Sequence, residues 1–186
     1  MVHADPPWPY DIQRNGAAAK HYDLLSVGGI AAHAAKSYAH ATDAAYLLLW
    51  CTWPKLGEWM AQDVGRWRYV TGGSWHKTGR LGIGFHVRGD SEPWLLYVKG
   101  SPRPQRPLSN AVESPRQAHS VKPAAWLETA FRALSPPGGV VLDLYAGLGS
   151  AAVAARAAGL GYVGAEIDPQ RHADAMAVLS QGRLWC

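Results

Sequence analysis

Residues 139–150 read Gly-Val-Val-Leu-Asp-Leu-Tyr-Ala-Gly-Leu-Gly-Ser, a short apolar run that leads into two closely spaced glycines. The apolar residues before Asp143 predict a buried strand, the glycines predict a turn, and the Ala-rich stretch to Ala158 predicts a helix. Gly147 and Gly149 allow the backbone to approach a ligand closely, because glycine has no Cβ. A strand, a glycine turn and a helix make half of a nucleotide-binding βαβ unit.

The second half of this unit follows at once. Gly161 to Ala165 predicts a short apolar strand, and Glu166 stands at its carboxyl end. An acid at that position hydrogen-bonds ribose hydroxyls in folds of this kind. The glycines lack the third glycine of the dinucleotide fingerprint, which favours a smaller adenosyl cofactor over a nicotinamide or flavin dinucleotide.

A stretch of chemical interest lies at the other end of the chain, Asp5-Pro6-Pro7-Trp8-Pro9-Tyr10. Adjacent prolines fix φ and remove N–H donors, so the stretch predicts a stiff, extended loop. In such a loop Asp5 and the carbonyl of Pro6 can converge on one amino group beside the rings of Trp8 and Tyr10. Two acceptors beside a flat face suit the exocyclic amine of a base flipped out of its duplex. The alternative is a Pro-rich arm with an incidental acid.

These stretches together resemble a known family. Asp5-Pro6-Pro7-Trp8 resembles the catalytic tetrad of amino-methyltransferases that act on adenine N6, and residues 142–150 resemble the S-adenosylmethionine loop of that superfamily. The order, catalytic motif first and cofactor loop last, is similar to the permuted β class of DNA amino-methyltransferases. His119-Ser120-Val121-Lys122-Pro123 resembles the element that precedes the cofactor strand in that class. Four further stretches resemble blocks of adenine methyltransferases related to the MT-A70 family: residues 15–22, 47–54, 75–78 and 88–100.

The resemblance implies one methyltransferase domain over residues 1–186, with an α/β, Rossmann-like fold. Its sheet would be mostly parallel and twisted, with helices on both faces. The catalytic region would span residues 1–99, a small target-contact loop residues 100–118, and the cofactor-binding region residues 119–186. The implied cofactor is S-adenosyl-L-methionine, with no metal, and the residues implied to hold it are His119, Ser120, Lys122, Asp143, Tyr145, Gly147, Gly149 and Glu166.

The implied reaction is methyl transfer to the N6 amino group of adenine in DNA, as in small phage-type enzymes, with Asp5, Pro6, Pro7 and Trp8 as the catalytic residues. Adenine N6 is a poor nucleophile because its lone pair is delocalised into the ring. Hydrogen bonds from its N–H groups to Asp5 and the Pro6 carbonyl would localise that lone pair. Trp8 and Tyr10 would stack on the flipped base.

Three alternatives to this reaction remain open. The first is methylation of cytosine N4 by the same geometry, although that version of the family more often carries Ser in place of the leading Asp. The second is an RNA substrate, because the MT-A70 resemblance extends to RNA enzymes. The third is a non-catalytic nucleic-acid-binding protein, against which the intact Asp-Pro-Pro-Trp motif and cofactor loop both argue.

Contacts with the target are predicted outside the catalytic motif as well. Lys77 is placed to contact phosphate or base, the alternative being a solvated lysine. Residues 100–118 interleave prolines with Arg103, Arg106 and Arg116 and predict a low-order loop beside the active site. Its arginines could follow a phosphate backbone, or the loop could be a surface linker. Residues 15–22 are predicted to be either a lid over the site or a surface loop.

The remaining elements follow from local patterns. Met1 to Ala4 can supply only a short strand before the catalytic motif, and the apolar run 44–52 predicts a buried parallel strand. Residues 66–75 predict a strand pair, or one strand interrupted at Gly72-Gly73, and residues 93–99 predict the other strand of an antiparallel hairpin. Ser26 suits the cap of a helix through residues 31–38. Further helices are predicted over 55–64, 124–134 and 170–180, and a last edge strand over 183–185.

Composition bounds the remaining possibilities. A chain of 186 residues with 48% hydrophobic and 17% charged residues fits one globular domain. It contains no apolar run of membrane-spanning length and no secretory signal, so we expect a cytoplasmic protein. Cys51 and Cys186 form no metal spacing and are expected to be reduced thiols. A net charge of +4 suits a polyanionic partner, DNA or RNA. Both a monomer and a dimer are compatible with these features.

Overall fold

The computed structural model describes residues 1–9, 24–79, 82, 86–115 and 121–180. Its strands are β1 (Val2–Ala4), β2 (Ala45–Trp50), β3 (Arg68–Thr78), β4 (Ser91–Lys99), β5 (Ala111–Pro115), β6 (Val140–Asp143) and β7 (Gly161–Gly164). Its helices are α1 (Val27–Ser37), α2 (Trp53–Met60), α3 (Ala124–Leu134), α4 (Ser150–Ala157) and α5 (Pro169–Ser180), and a 3-10 turn covers Tyr38–His40. The predicted edge strand 183–185 lies outside the described residues.

The strands form one seven-stranded sheet in the order β5-β3-β4-β2-β1-β6-β7. β4 is antiparallel to both of its neighbours, β2 and β3, and all other neighbouring strands in the described chain are parallel. The predicted mostly parallel α/β fold is therefore confirmed. Because of this topology, the carboxyl ends of six strands lie with the amino end of β4 along one border of the sheet. We call this border the carboxyl edge and the opposite border the amino edge.

Helices cover both faces of the sheet, as predicted. Successive side chains of a strand point to opposite faces, and β2 shows this directly. Leu48 packs in a cluster with Phe131 of α3, whereas Leu49 packs in a second cluster with Ile30 of α1. All six residues of β2 are buried. The continuous apolar run predicted for this strand therefore reflects a strand that is covered on both sides.

β1 is a short strand, as predicted, and it lies in the middle of the sheet. Its three buried residues run parallel to β2 on one side and to β6 on the other. The backbone carbonyls of Met1 and His3 accept hydrogen bonds from Leu142 N at 2.9 Å and from Leu144 N at 3.0 Å. Three residues therefore suffice to fix the point at which the chain leaves the carboxyl edge at Asp5.

Gly72 and Gly73 do not interrupt their strand, contrary to the prediction. β3 is continuous from Arg68 to Thr78, and its register shift lies earlier, between Tyr69 and Thr71. A Cβ on Gly73 would lie 2.0 Å from the carbonyl oxygen of Asn110 and 2.5 Å from the Trp94 ring. The glycine at position 73 is needed because the neighbouring chain and the ring approach closely, not because the strand breaks there.

The prediction of a loop throughout residues 100–118 is wrong for residues 111–115. These residues form β5, which runs parallel to β3 along the border of the sheet. Val112 is buried in the core, and the indole Nε1 of Trp75 donates a hydrogen bond to Ser114 Oγ at 2.8 Å. The free backbone groups of β3 supply the partners that make this segment a strand.

Several local predictions are confirmed. Ser26 caps α1, and its side chain accepts a hydrogen bond from Gly29 N. The helix predicted after Pro123 begins at Ala124, and α5 begins at Pro169. Cys51 is a free, buried thiol, and burial raises its pKa to about 12. No helix in the described ranges is long and apolar enough to cross a membrane.

Candidate active site

The catalytic motif leaves β1 at the carboxyl edge as a loop that is fixed at several points. Trp8 N donates to the Pro6 carbonyl at 3.0 Å, and Leu25 N donates to the Pro7 carbonyl at 3.1 Å. The indole Nε1 of Trp8 donates to the carbonyl of Trp50 at 3.1 Å. A carbonyl oxygen has two lone pairs, so the Pro6 oxygen can accept one further hydrogen bond.

Trp8 lies largely inside the protein. Only 4% of its surface is exposed, and its ring meets the edge of Trp59 with centroids 5.6 Å apart. Stacking of a base on Trp8 stays a prediction, and in this structure most of the ring is already covered. Tyr10, the other predicted stacking residue, lies outside the described residues.

Asp5 belongs to a cluster of four charged side chains, which we call the charge network: Asp5, Lys122, Glu92 and Lys77. The ammonium of Lys122 lies 2.7 Å from Asp5 Oδ1, 2.8 Å from Asp5 Oδ2 and 3.4 Å from Glu92 Oε2. Lys77 donates to the other oxygen of Glu92. The lysine side chains are only 9% and 10% exposed for Lys122 and Lys77. The network alternates in sign and is neutral overall.

Burial and the neighbouring charges shift the proton affinity of Asp5, Glu92 and Lys122. Burial raises the pKa of Asp5, and Lys122 opposes that rise. Burial acts in the same direction on Glu92, but the two lysines outweigh it and hold the pKa of Glu92 below its usual range. Burial acts against the charge of Lys122, but Asp5 and Glu92 outweigh it and raise the pKa of Lys122. Lys122 is therefore an ammonium at any working pH.

The ammonium of Lys122 lies on Asp5 and Glu92, and its expected role at the methionine end of the cofactor stays a prediction. The same ammonium lies 5.4 Å from the centre of the Trp50 ring. The ion pair joins the start of α3 to the end of β1. His119 and Ser120, which were predicted to act with Lys122, lie outside the described residues.

The predicted cofactor loop and Glu166 are brought together as the βαβ pattern requires. Gly147 and Gly149 have φ values of +53° and +85°, which favour glycine. The Glu166 carboxylate accepts from Gly147 N at 2.7 Å and from Asp168 N at 2.9 Å. A Cβ placed on Gly147 meets no atom within 4 Å, so the loop faces open space there.

Asp143 lies beneath this loop and is 1% exposed. It accepts from Tyr162 OH at 2.9 Å and from Tyr145 N at 3.3 Å, and it lies 3.0 Å from His3 Nδ1. Tyr145 is held from the other side, because its hydroxyl lies 3.0 Å from His33 Nδ1. Burial raises the pKa of Tyr145 well above its usual range. Asp143 therefore braces the loop from below.

Two of the predicted arginines do not lie beside the catalytic motif, and this part of the prediction is wrong. The carbonyl of Pro102 accepts from the hydroxyl of Tyr46, near the start of β2, at 3.2 Å. Gln105 N donates to the carbonyl of Ala133, near the end of α3, at 2.7 Å. These bonds hold the exposed Arg103 and Arg106 at the amino edge. Arg116 lies outside the described residues.

A family model of DNA methylases of the N6/N4 type matches residues 1–177 of the chain. The chain belongs to this DNA methylase family. No curated protein sequence matches it.

Solved structures agree with the fold of this DNA methylase. The M1.HpyAVI complex with SAM is similar with a TM-score of 0.70 and 17% identity, over 95% of this chain and 86% of that one. TTHA0409 from Thermus thermophilus, complexed with S-adenosyl-L-methionine, gives 0.72 and 17%, over 97% and 84%. The cytosine-N4-specific PvuII DNA methyltransferase gives 0.62 and 14%, over 95% and 78%.

Sequence reasoning missed three functional candidates of this DNA methylase. Glu92 precedes Pro93 at the start of an apolar strand, and an acid in such a run was the available signal. His3 lies two residues before Asp5, and strand alternation places the two on one side. Tyr162 has no local signal, because its bond to Asp143 spans two strands. In the described residues of this DNA methylase no group of three His, Cys, Asp or Glu side chains could hold a metal ion.

Proposed function

We propose that the protein transfers a methyl group from S-adenosylmethionine to the N6 amino group of adenine in DNA. One observation carries the proposal. β1 pairs directly with β6 inside the sheet, so the Asp5 loop and the Gly147 loop leave neighbouring strands at the same edge. Ligands of open α/β sheets bind at that edge, outside the carboxyl ends of the strands.

The residues around β6 and β7 suit an adenosyl group. Each oxygen of Glu166 accepts one backbone N–H and keeps a further lone pair, which can accept from a ribose hydroxyl. Ile167 follows and is 89% exposed, so it offers an apolar surface to an adenine ring. The open space beside Gly147 leaves room for the ligand. When bound, S-adenosylmethionine supplies an electrophilic methyl group on a sulfonium.

Asp5 and Pro6 supply the acceptors for the target amino group. One N–H of the amine would donate to the Asp5 carboxylate and the other to the free lone pair of the Pro6 carbonyl. Both acceptors sit on a loop fixed by hydrogen bonds, so their orientation is set before the base arrives. When the amine nitrogen takes the methyl group, the methyl–sulfur bond would break, the cofactor would leave as a neutral thioether, and the amine would lose one proton. Asp5 is placed to accept that proton, and burial makes it a stronger base by raising its pKa.

Adenine is favoured over cytosine on the identity of Asp5 alone, by resemblance to the Asp-Pro-Pro-Trp motif of adenine enzymes. The family includes both N6 and N4 activities, and one similar structure is named as cytosine-N4-specific. Cytosine N4 is therefore the second candidate product, since the same two acceptors would hold either amine.

Nucleoside mass spectrometry tests the proposal directly. DNA and RNA would each be incubated with the protein and S-adenosylmethionine, then digested to nucleosides. We expect N6-methyladenine in DNA, its loss in Asp5→Ala, and its retention in Asp43→Ala, which removes an exposed acid at the amino edge.

N4-methylcytosine in DNA would reassign the base, and a methylated base in RNA would reassign the polymer. Absence of any methylated base, with S-adenosylmethionine bound in a parallel calorimetric titration, would overturn the enzymatic proposal. The protein would then be a nucleic-acid-binding member of the family without turnover.

A further inference from the structure

The charge network contains two residues that the proposed reaction does not use, Glu92 and Lys77. Its four members come from separate segments: Asp5 follows β1, Lys77 lies on β3, Glu92 lies on β4, and Lys122 precedes α3. Registration of Trp75 with Glu92 across the β3–β4 pair fixes the position of Glu92 in the sheet. A mostly buried cluster held by four elements is built into the fold and is not a chance surface contact.

The Lys122 ammonium already binds the Asp5 carboxylate that the proposed reaction uses. Its ammonium is within 2.8 Å of both carboxylate oxygens of Asp5. The amino group of the target base has to donate to that same carboxylate. A charged ammonium is a stronger donor than a neutral amine. Each Asp5 oxygen keeps a further lone pair for the amine, but an ammonium on both oxygens weakens their attraction for a neutral donor. The base therefore gains the full acceptor strength of Asp5 only if Lys122 has another anion to move to.

Glu92 is that anion. Its Oε2 atom lies 3.4 Å from the Lys122 ammonium, just beyond the range of a good hydrogen bond. A displacement of well under 1 Å would convert this contact into a full charge-assisted bond. We propose that Glu92 is a positioning residue that draws the Lys122 ammonium from Asp5 when the amino group of the base arrives. This inference rests on the proposed function.

Lys77 limits how strongly Glu92 attracts the Lys122 ammonium before the base arrives. Its ammonium binds the Oε1 atom of Glu92 and lies 4.9 Å from the centre of the Trp75 ring, so Glu92 already has one cation. Without Lys77, Glu92 would attract Lys122 more strongly and the resting pair with Asp5 would weaken. With Lys77 present, the Lys122 ammonium pairs with Asp5, and Glu92 remains a second anion that binds it more weakly.

The first test measures single-turnover methyl transfer to DNA at saturating cofactor. Glu92→Gln keeps the shape of the side chain and removes its charge. Lys122 then has only Asp5, so we expect the transfer rate to fall by about tenfold or more. The matched control is Asp90→Asn, which removes the same charge two residues away and outside the network. Equal rates in Glu92→Gln and wild type would overturn the proposal.

A double variant tests whether Glu92 serves as a second anion for Lys122 or only as a counter-ion to Lys77. Lys77→Gln with Glu92→Gln removes one positive and one negative charge and leaves the Asp5–Lys122 pair in place. We expect the double variant to stay as slow as Glu92→Gln, because Lys122 still has nowhere to move. Recovery of the wild-type rate would show that Glu92 only neutralises Lys77, and would overturn the proposal.

A second readout needs no catalysis. The Asp5 side-chain carboxyl carbon can be titrated by NMR and assigned by its absence in Asp5→Asn. The titratable groups acting on Asp5 are Lys122, Glu92 and His3, of which Glu92 raises its pKa. In Glu92→Gln we expect the midpoint to fall by about one pH unit, because a like charge is lost and Lys122 serves Asp5 alone. A purely structural role for Glu92 would not move this midpoint in that direction.

These measurements distinguish failure of the inference from failure of the proposed function. If wild type methylates neither polymer, the proposed function fails, and the NMR titration still decides whether Glu92 acts on the Asp5–Lys122 pair. An unchanged midpoint overturns that action. If Glu92→Gln does not fold, as judged by circular dichroism, Glu92→Asp takes its place. It keeps the charge but withdraws it by one methylene, and an unchanged transfer rate in that variant would overturn the proposal.

Discussion

At the scale of single residues, Asp5 is the group on which the proposed chemistry depends, and its two neighbours Glu92 and Lys122 act on its pKa in opposite directions. Burial and Glu92 raise its pKa above the ordinary 3.8, whereas Lys122 lowers it. The reaction needs the ionised carboxylate, so activity should be lost as the pH falls through this raised pKa. The acid limb of kcat/KM should therefore lie above 3.8.

Lys122→Gln should move that limb further up. The substitution removes the cation that stabilises the Asp5 carboxylate, so we expect the midpoint to rise by about one pH unit or more. The shift is opposite in sign to that expected for Glu92→Gln. It would be measured as the pH dependence of kcat/KM at saturating cofactor, with Lys55→Gln as the control, since Lys55 is a half-buried lysine on α2 that pairs with Glu58 outside the network. A limb that stays in place would show that Lys122 does not act on Asp5.

At the scale of elements, strand β3 requires glycine at position 73, although the sequence pattern of the strand does not predict this requirement. An alanine at position 73 would place its Cβ against the Asn110 carbonyl and the Trp94 ring. We expect Gly73→Ala to lower the free energy of unfolding by about 2–3 kcal/mol, as overpacking does. Gly57→Ala is the matched control. Its Cβ meets nothing within 4 Å on helix α2, so it should stabilise by about 0.5–1 kcal/mol. Urea unfolding measures both, and a neutral Gly73→Ala would contradict the close packing.

The elements that sequence alone predicts are those with a local signal. β2, β6 and β7 have apolar runs, α1 has a Ser cap, and α3 and α5 start at or just after a proline. β5 has no such signal, because Glu113, Ser114 and Pro115 do not alternate in polarity. Its hydrogen bonds and its cover come from β3, with Trp75 standing 39 residues before Ser114. Pairing of that range is decided by tertiary contacts and not by local propensity.

At the scale of the whole molecule, the parts of the site that have a local sequence signal were predicted, and the parts that tertiary packing brings in were not. Asp5, Gly147 and Glu166 lie at one edge of the sheet because each follows the carboxyl end of a parallel strand, β1, β6 or β7. A strand before each motif is visible in the sequence. The partners Glu92 and His33 depend on where β4 and α1 pack, which no motif records. The predicted position of Arg103 and Arg106 was wrong for the same reason. A loop that follows the reversed strand β4 starts at the amino edge. The hairpin predicted from the sequence does not show which of its two strands runs against the rest of the sheet.

That placement gives a prediction for DNA binding. The hydrogen bonds from the Tyr46 hydroxyl to Pro102 and from Gln105 N to Ala133 hold the segment with Arg103 and Arg106 near the start of β2. Asp5 lies beyond the carboxyl edge, at the other end of the strands. β2 has six residues, and a strand of that length spans roughly 17–20 Å. We expect Arg103→Ala with Arg106→Ala to change the KM for a short duplex by less than about twofold, because neither side chain stands where the flipped base enters.

The charge-retaining pair Arg103→Lys with Arg106→Lys serves as the control, and KM is measured at several salt concentrations. If these arginines bound phosphates, removing them would reduce the slope of log KM against log salt by about one to two. A fall of that size, absent in the lysine pair, would mean that the duplex extends around the molecule to the amino edge. An unchanged slope would show that the duplex does not contact these two arginines, as expected if it binds at the carboxyl edge, where the residues proposed to hold the amine and the cofactor lie.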